Sequence, residues 1–124
     1  MNVVDSSGWL EYFADGPNAA FFATAIEATR ELLVPTLSLY EVFKRVLQQR
    51  GEGEALQAVA LMQQGQAVDL TSAVALSAAR ARIELRLPMA DSIMLVTAHL
   101  HGATFWTQDA DFDGVEGVKY VAKR

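Results

Sequence analysis

The 124-residue sequence contains no cysteine and only two histidines. Disulfides, zinc–thiolate centres and cysteine nucleophiles are therefore excluded, and any metal must be held by oxygen or by imidazole nitrogen. Long apolar runs are also missing. Although 52% of the residues are apolar, the longest stretches fall short of a membrane span, and the first residues lack the basic region of a signal peptide. The expectation is a soluble, cytoplasmic protein with no membrane association. Positive charge is scarce, with ten Lys and Arg against fifteen Asp and Glu and a net charge of -5. That balance argues against a protein that coats nucleic acid through a large basic face. It leaves room for a nuclease, because a cluster of carboxylates adds negative charge and needs a divalent cation before a phosphate can approach. With no internal repeat or low-complexity tract, the length suits one domain over residues 1–124.

Short apolar runs alternate with helical patterns along the whole chain. Met1 to Asp5 reads as a strand that delivers Asp5 at its carboxyl end, and Ser6 and Ser7 open a short helix carrying Trp9, Leu10, Tyr12 and Phe13. After Asp15-Gly16-Pro17, a helix is expected from about Pro17 to Glu31, then a strand at Leu33-Val34-Pro35. Thr36 or Ser38 is placed to cap the next helix, which contains Tyr40, Glu41, Val42 and Phe43 and stops at Gly51. Glu54 to Gln64 is a further amphipathic helix, and Ala67 to Leu70 is strand-sized. Thr71 opens an alanine-rich helix whose expected buried stripe is Ala75, Leu76, Ala79, Ile83 and Leu87. Another helix begins near Pro88 and closes at Gly102. Ala103 to Thr107 is a strand, Gln108 to Phe112 a polar turn, and Val118 to Val121 the last strand. This order predicts an α/β fold with a mainly parallel central sheet and helices on both faces.

The helix after Pro88 is apolar on nearly every side, which makes Asp91 an anomaly. An ionised carboxylate in a buried first turn must be paired, capping, protonated or bound to a cation. In parallel sheets the ligand site lies beyond the carboxyl ends of the strands, where strand order reverses. That rule selects Asp5, at the end of the first strand, and Asp109, just after the Thr104–Thr107 strand. Glu41 shares their setting, an acid near an element boundary in apolar surroundings, and Asp111 is a further candidate. Gathered together, these acids would repel one another unless a cation neutralised them, and oxygen-only ligands suit Mg²⁺ or Mn²⁺. Each acid also has a plainer reading. Asp5 could cap a helix, Glu41 could pair with Lys44 or Arg45, Asp91 could be an N-cap, and Asp109 and Asp111 could form turns.

Four stretches carry a family resemblance: Val3-Val4-Asp5-Ser6-Ser7, Pro35 to Val42, Leu87-Pro88-Met89-Ala90-Asp91-Ser92, and Thr107-Gln108-Asp109-Ala110-Asp111-Phe112. In order and spacing they resemble the motifs of PIN-domain ribonucleases and, more narrowly, of the VapC-type toxins of bacterial and archaeal toxin–antitoxin pairs. The resemblance spans nearly the whole chain. It implies a Rossmann-like α/β/α sandwich and a Mg²⁺- or Mn²⁺-dependent endoribonuclease that hydrolyses RNA phosphodiester bonds, the toxin of a type II system. It carries the metal-binding and catalytic acids onto Asp5, Glu41, Asp91 and Asp109, with Asp111 matching the second acid of the last motif. Thr107 and Ser6 match hydroxyls that orient the cluster. The family also implies a homodimer and a small antitoxin that occupies the active-site groove with a basic or aromatic side chain.

Outside these motifs, Arg80, Arg82 and Arg86 precede the Asp91 helix. They read as a solvated face in which Arg80 pairs with Glu84, while Arg82, Arg86 and Lys44 are also candidates for RNA phosphate contacts. His99 and His101 point to different sides of a helix end, so a shared metal is not expected. Trp9, Phe13, Phe21, Phe22 and Trp106 are expected in the core or a dimer contact. Two other functions fit parts of the pattern: a housekeeping PIN nuclease, and a non-nuclease, Mg²⁺-binding receiver-like domain. The receiver needs paired acids after the first strand, where Asp5 is followed by Ser6-Ser7. An inactive fold whose acids only cap helices is the remaining alternative.

Overall fold

Alternating side chains divide each strand between the two faces of one sheet. The computed structural model describes residues Met1–Arg124. Its strands are β1 (Asn2–Val4), β2 (Leu32–Pro35), β3 (Gln66–Val68), β4 (Thr104–Thr107) and β5 (Val118–Tyr120). All pair in parallel, in the order β3-β2-β1-β4-β5. The helices are α1 (Ser6–Phe13), α2 (Ala19–Ile26), α3 (Thr36–Arg50), α4 (Glu52–Met62), α5 (Ser72–Leu85) and α6 (Met89–Leu100). None is long and apolar enough to cross a membrane.

β2 is a continuous apolar run, and β1 carries the buried pair Val3 and Val4, because helices cover both faces of the sheet. Val4, Leu32, Val34 and Trp106 pack with Trp9 of α1, Phe22 of α2, Val42 of α3 and Met62 of α4. Val3, Leu33 and Phe105 point to the other face and meet Met94, Leu95 and Ala98 of α6. Behind α6 lies α5, joined to it through Val74, Ala78, Ile93 and Val96. The result is the α/β/α sandwich expected from the alternation of elements. α1 and α2 approach closely at Gly8, where a Cβ would stand 2.5 Å from Cε1 of Phe22.

Several local expectations need correction. The helix expected to reach Glu31 ends at Ile26; Ala28 leaves helical geometry (φ -84°, ψ 66°), and a 3-10 turn over Thr29–Glu31 leads into β2. Neither Thr36 nor Ser38 caps α3, whose N-cap position is Pro35. The turn after β4 is not wholly polar, since Phe112 is fully buried and packs edge-on against Phe105, ring centroids 5.0 Å apart. The largest difference concerns α5. Its buried side is Val74 and Ala78, whereas Leu76 and Ile83 are 69% and 79% exposed. So many alanines leave α5 with little contrast between its faces, and the packing of Val74 and Ala78 against α6 sets its rotation.

Strand order reverses at β1, with β2 and β3 on one side and β4 and β5 on the other. The crevice beyond the carboxyl ends of β1 and β4 is thus the topological switch point. Both α3 and α6 start at that end of the sheet, bringing their first turns to the crevice.

Candidate active site

Asp5 follows directly on β1. It occupies the N-cap position of α1, yet its side chain does not cap the helix. Its Oδ2 instead accepts hydrogen bonds from Thr107 Oγ1 at 2.8 Å and Ser7 Oγ at 3.2 Å. Asp5 is only 3% exposed. Burial pushes its carboxyl above the ordinary range, the hydroxyls of Thr107 and Ser7 act against that shift, and the charge on Asp109 adds to it.

Glu41 comes from the second turn of α3 and accepts a 2.7 Å hydrogen bond from Ser6 Oγ. It makes no ion pair with Lys44 or Arg45; the one ion pair in the chain is Arg50–Glu54, at 3.5 Å. Below this contact, Ser6 and Ser38 turn their hydroxyls toward the Met94 sulfur, at 3.5 and 3.3 Å. Met94 lies one turn beyond Asp91 on α6, so this polar contact joins the starts of α1, α3 and α6.

Asp91 stands in the first turn of α6, where the helix dipole favours negative charge. It is not the N-cap, which is Pro88. Burial, then the charges of Asp5, Asp109, Glu41 and Asp111, push its carboxyl up to about 7. Asp109 follows β4; its amide donates to Thr107 Oγ1 and its Oδ1 accepts from the Asp111 amide, both at 3.0 Å. Thr107 thereby fixes Asp5 through its proton and Asp109 through its lone pair.

Asp5, Glu41, Asp91 and Asp109 line one cavity of about 440 Å³, together with Ser6, Ser7, Lys44, Arg45, Gln48 and Lys123. No three acids close round a common point as a ready-made cage. Mg²⁺ keeps several of its waters and binds through one or two carboxylates. An open set of four carboxylates, none neutralised by an ion pair, therefore fits a hydrated Mg²⁺ or Mn²⁺ ion.

The remaining candidates fall elsewhere. Asp111 is exposed and does not line this cavity, although its charge acts on Asp91; it lines a depression with Arg82 and Arg86. Arg80 and Glu84 form no ion pair. His99 Nε2 and His101 Nδ1 contact backbone carbonyls of Glu116 and Thr97 at 2.9 and 2.8 Å, apart from the acids.

Residues 3–118 match the PIN domain family. The chain belongs to that family. No curated protein matches it, but this PIN domain is similar in fold to several solved structures. A toxin–antitoxin complex from Klebsiella pneumoniae superposes with a TM-score of 0.80 at 21% identity, covering 96% of each chain. VapBC2 from Rickettsia felis, bound to a promoter DNA fragment, gives 0.75 at 10% identity over 98% of this chain and 97% of that one. A sarcin–ricin loop cleaving VapC toxin from Mycobacterium tuberculosis gives 0.75 at 14% identity, covering 94% and 95%. At such identities the likeness concerns the fold.

Sequence reasoning missed the support around the cavity. Asn18 is buried and donates through Nδ2 to Gln108 Oε1 at 2.9 Å and to the Ala122 carbonyl at 3.0 Å. This clamp fixes both the turn that carries Asp109 and the tail that brings Lys123 to the cavity. Its members lie 90 and 104 positions apart, and no local pattern announces them.

Proposed function

We propose that this PIN domain is a divalent-metal-dependent endoribonuclease and the toxin of a type II toxin–antitoxin pair. The observation that carries the reading is the cluster of four carboxylates at the switch point, none of them in an ion pair, with Asp5 and Glu41 held by neighbouring hydroxyls. Such a set is costly to keep together without a cation. Bound Mg²⁺ or Mn²⁺ would lower the pKa of a water and offset charge developing on the phosphate. Asp5, Glu41, Asp91 and Asp109 would hold one or two such ions, directly or through the ions' waters, while Thr107 orients Asp5 and Ser6 orients Glu41. One of these four carboxylates would also take the proton of the attacking water. Lys44, Arg45 and Lys123, on the same cavity, draw the RNA backbone toward the acids.

The toxin role draws support from the neighbouring structures, which include toxin–antitoxin complexes and a toxin that cleaves the sarcin–ricin loop. A groove of about 760 Å³ between α1, α3 and α4, floored by Leu10, Phe13, Val46 and Leu61, opens onto the acidic cavity at Ser7, Leu10 and Arg45. An antitoxin helix laid in this groove could reach the acids with a basic side chain. The outward face of α5 is assigned to a homodimer. Leu76 and Ile83 lie exposed along it beside Arg80 and Glu84, opposite charges that a twofold-related copy would pair reciprocally.

The direct test incubates purified protein with mixed tRNA and rRNA in Mg²⁺, Mn²⁺ or EDTA, beside a folded Asp91→Asn variant. Metal-dependent cutting by wild type alone supports the reading. Equal cutting by the variant, or cutting in EDTA, overturns it.

A further inference from the structure

Helix α5 ends on an arginine in a conformation that usually falls to glycine. Arg86 is left-handed, at φ 57° and ψ 41°, a geometry that a Cβ disfavours. Its side chain forms no ion pair. One turn earlier, Arg82 donates from Nη1 to the Leu87 carbonyl at 3.4 Å. Arg82 and Arg86, with Leu87, Pro88 and Asp111, border a depression of about 510 Å³. This depression is separate from the acidic cavity. The two share no lining residue, and the short turn after β4 contributes to both, Asp109 to the acidic cavity and Asp111 to the depression.

We infer that Arg82 and Arg86 form a second phosphate subsite, which holds a phosphodiester of the same RNA strand to one side of the one cut at the acidic cluster. The inference rests on the ribonuclease reading above. Its basis is the placement of charge. Four carboxylates repel every phosphate near them, so a strand crossing the cavity needs cations on its flanks. Lys44, Arg45 and Lys123 lie on the acidic cavity itself, and Arg82 and Arg86 line the depression that the turn after β4 borders through Asp111. Planar guanidinium groups bind phosphate oxygens in pairs, which suits them to fix a strand rather than merely attract it. A strand held on both sides of the cleavage point is cut internally, and a substrate lacking the flanking phosphate binds less tightly.

The test compares wild type, Arg86→Gly and the double variant Arg82→Gln/Arg86→Gln on an RNA from the pool that wild type cuts. Arg86→Gly suits the left-handed turn and removes an exposed side chain together with its guanidinium, so its melting temperature should not fall. Both variants should raise KM about tenfold or more and leave kcat within about twofold. The slope of log(kcat/KM) against log[salt] should become shallower by about one for each phosphate that an arginine no longer neutralises. Unchanged KM and salt slope in both variants overturn the subsite while leaving the nuclease reading intact. If wild type cuts no RNA with either metal, the nuclease reading falls and the subsite falls with it.

Discussion

Thr107 ends β4 with its hydroxyl 2.8 Å from the carboxylate of Asp5, which directly follows β1. Neighbouring strands thus lock the most buried acid of the cavity, and the same hydroxyl receives the Asp109 amide. Thr107→Val keeps the shape and removes both bonds. It should destabilise the protein by about 1–3 kcal/mol, the cost of stripping a partner from a buried polar group. Activity should fall about 10–100-fold, as for other groups that orient metal ligands. Urea denaturation in EDTA and cleavage rates in Mg²⁺ measure the two effects separately.

The raised proton affinity of Asp91 sets the pH dependence of the metal-free protein. The carboxyl titrates near 3.8 when unfolded and at about 7 when folded. Between those values the folded state holds a proton that the unfolded state has released, so stability falls as pH rises through the interval. The decline is complete above pH 7, and burial of Asp5 works in the same direction. Thermal melts in EDTA should give a lower Tm at pH 8 than at pH 5. Added Mg²⁺ should raise Tm more at pH 8, where the acids are ionised.

Asp91→Asn should separate stability from function. Removing one of several like charges should raise the metal-free Tm at pH 8 by about 4 °C, corresponding to roughly 1 kcal/mol of solvent-screened repulsion. At pH 5 the two proteins should melt together, since Asp91 is then protonated. Cleavage in Mg²⁺ should fall about 100-fold or more. Scanning calorimetry at the two pH values checks the first part and single-turnover cleavage the second.

Exposure on α5 yields a prediction about assembly. Ile83 is 79% exposed in the isolated chain, so Ile83→Glu should leave the fold of one chain intact while breaking a dimer that uses this face. Light scattering coupled to size exclusion should report a dimer for wild type and a monomer for the variant, with matching circular dichroism. A wild-type monomer, or a dimeric variant, removes this face from the interface.

The sheet is legible in the sequence because parallel strands buried on both faces appear as unbroken apolar runs, as at Leu32–Pro35. Asp5 and Asp109 stand out by their places after strands, and Asp91 by its polarity in an apolar helix. The rotation of α5 is hidden: alanine is small enough to face either way, and Leu76 and Ile83 have core-type side chains but point outward. Arg82 and Arg86 are close to Asp91 in sequence, yet the chain turns at the left-handed Arg86 and the two arginines line a depression with Asp111 rather than the acidic cavity. The Asn18–Gln108–Ala122 clamp depends on packing between distant segments, which no local spacing encodes.

The proposed chemistry turns on whether Asp5, Glu41, Asp91 and Asp109 hold a divalent ion. Crystals grown with Mn²⁺ and measured at the manganese absorption edge test this most directly. The expected result is an anomalous peak in the cavity, with carboxylate oxygens of this set about 2.1 Å away as octahedral oxygen coordination requires, and no such peak in Asp91→Asn crystals. A manganese peak elsewhere, or an empty cavity at saturating Mn²⁺, would contradict it.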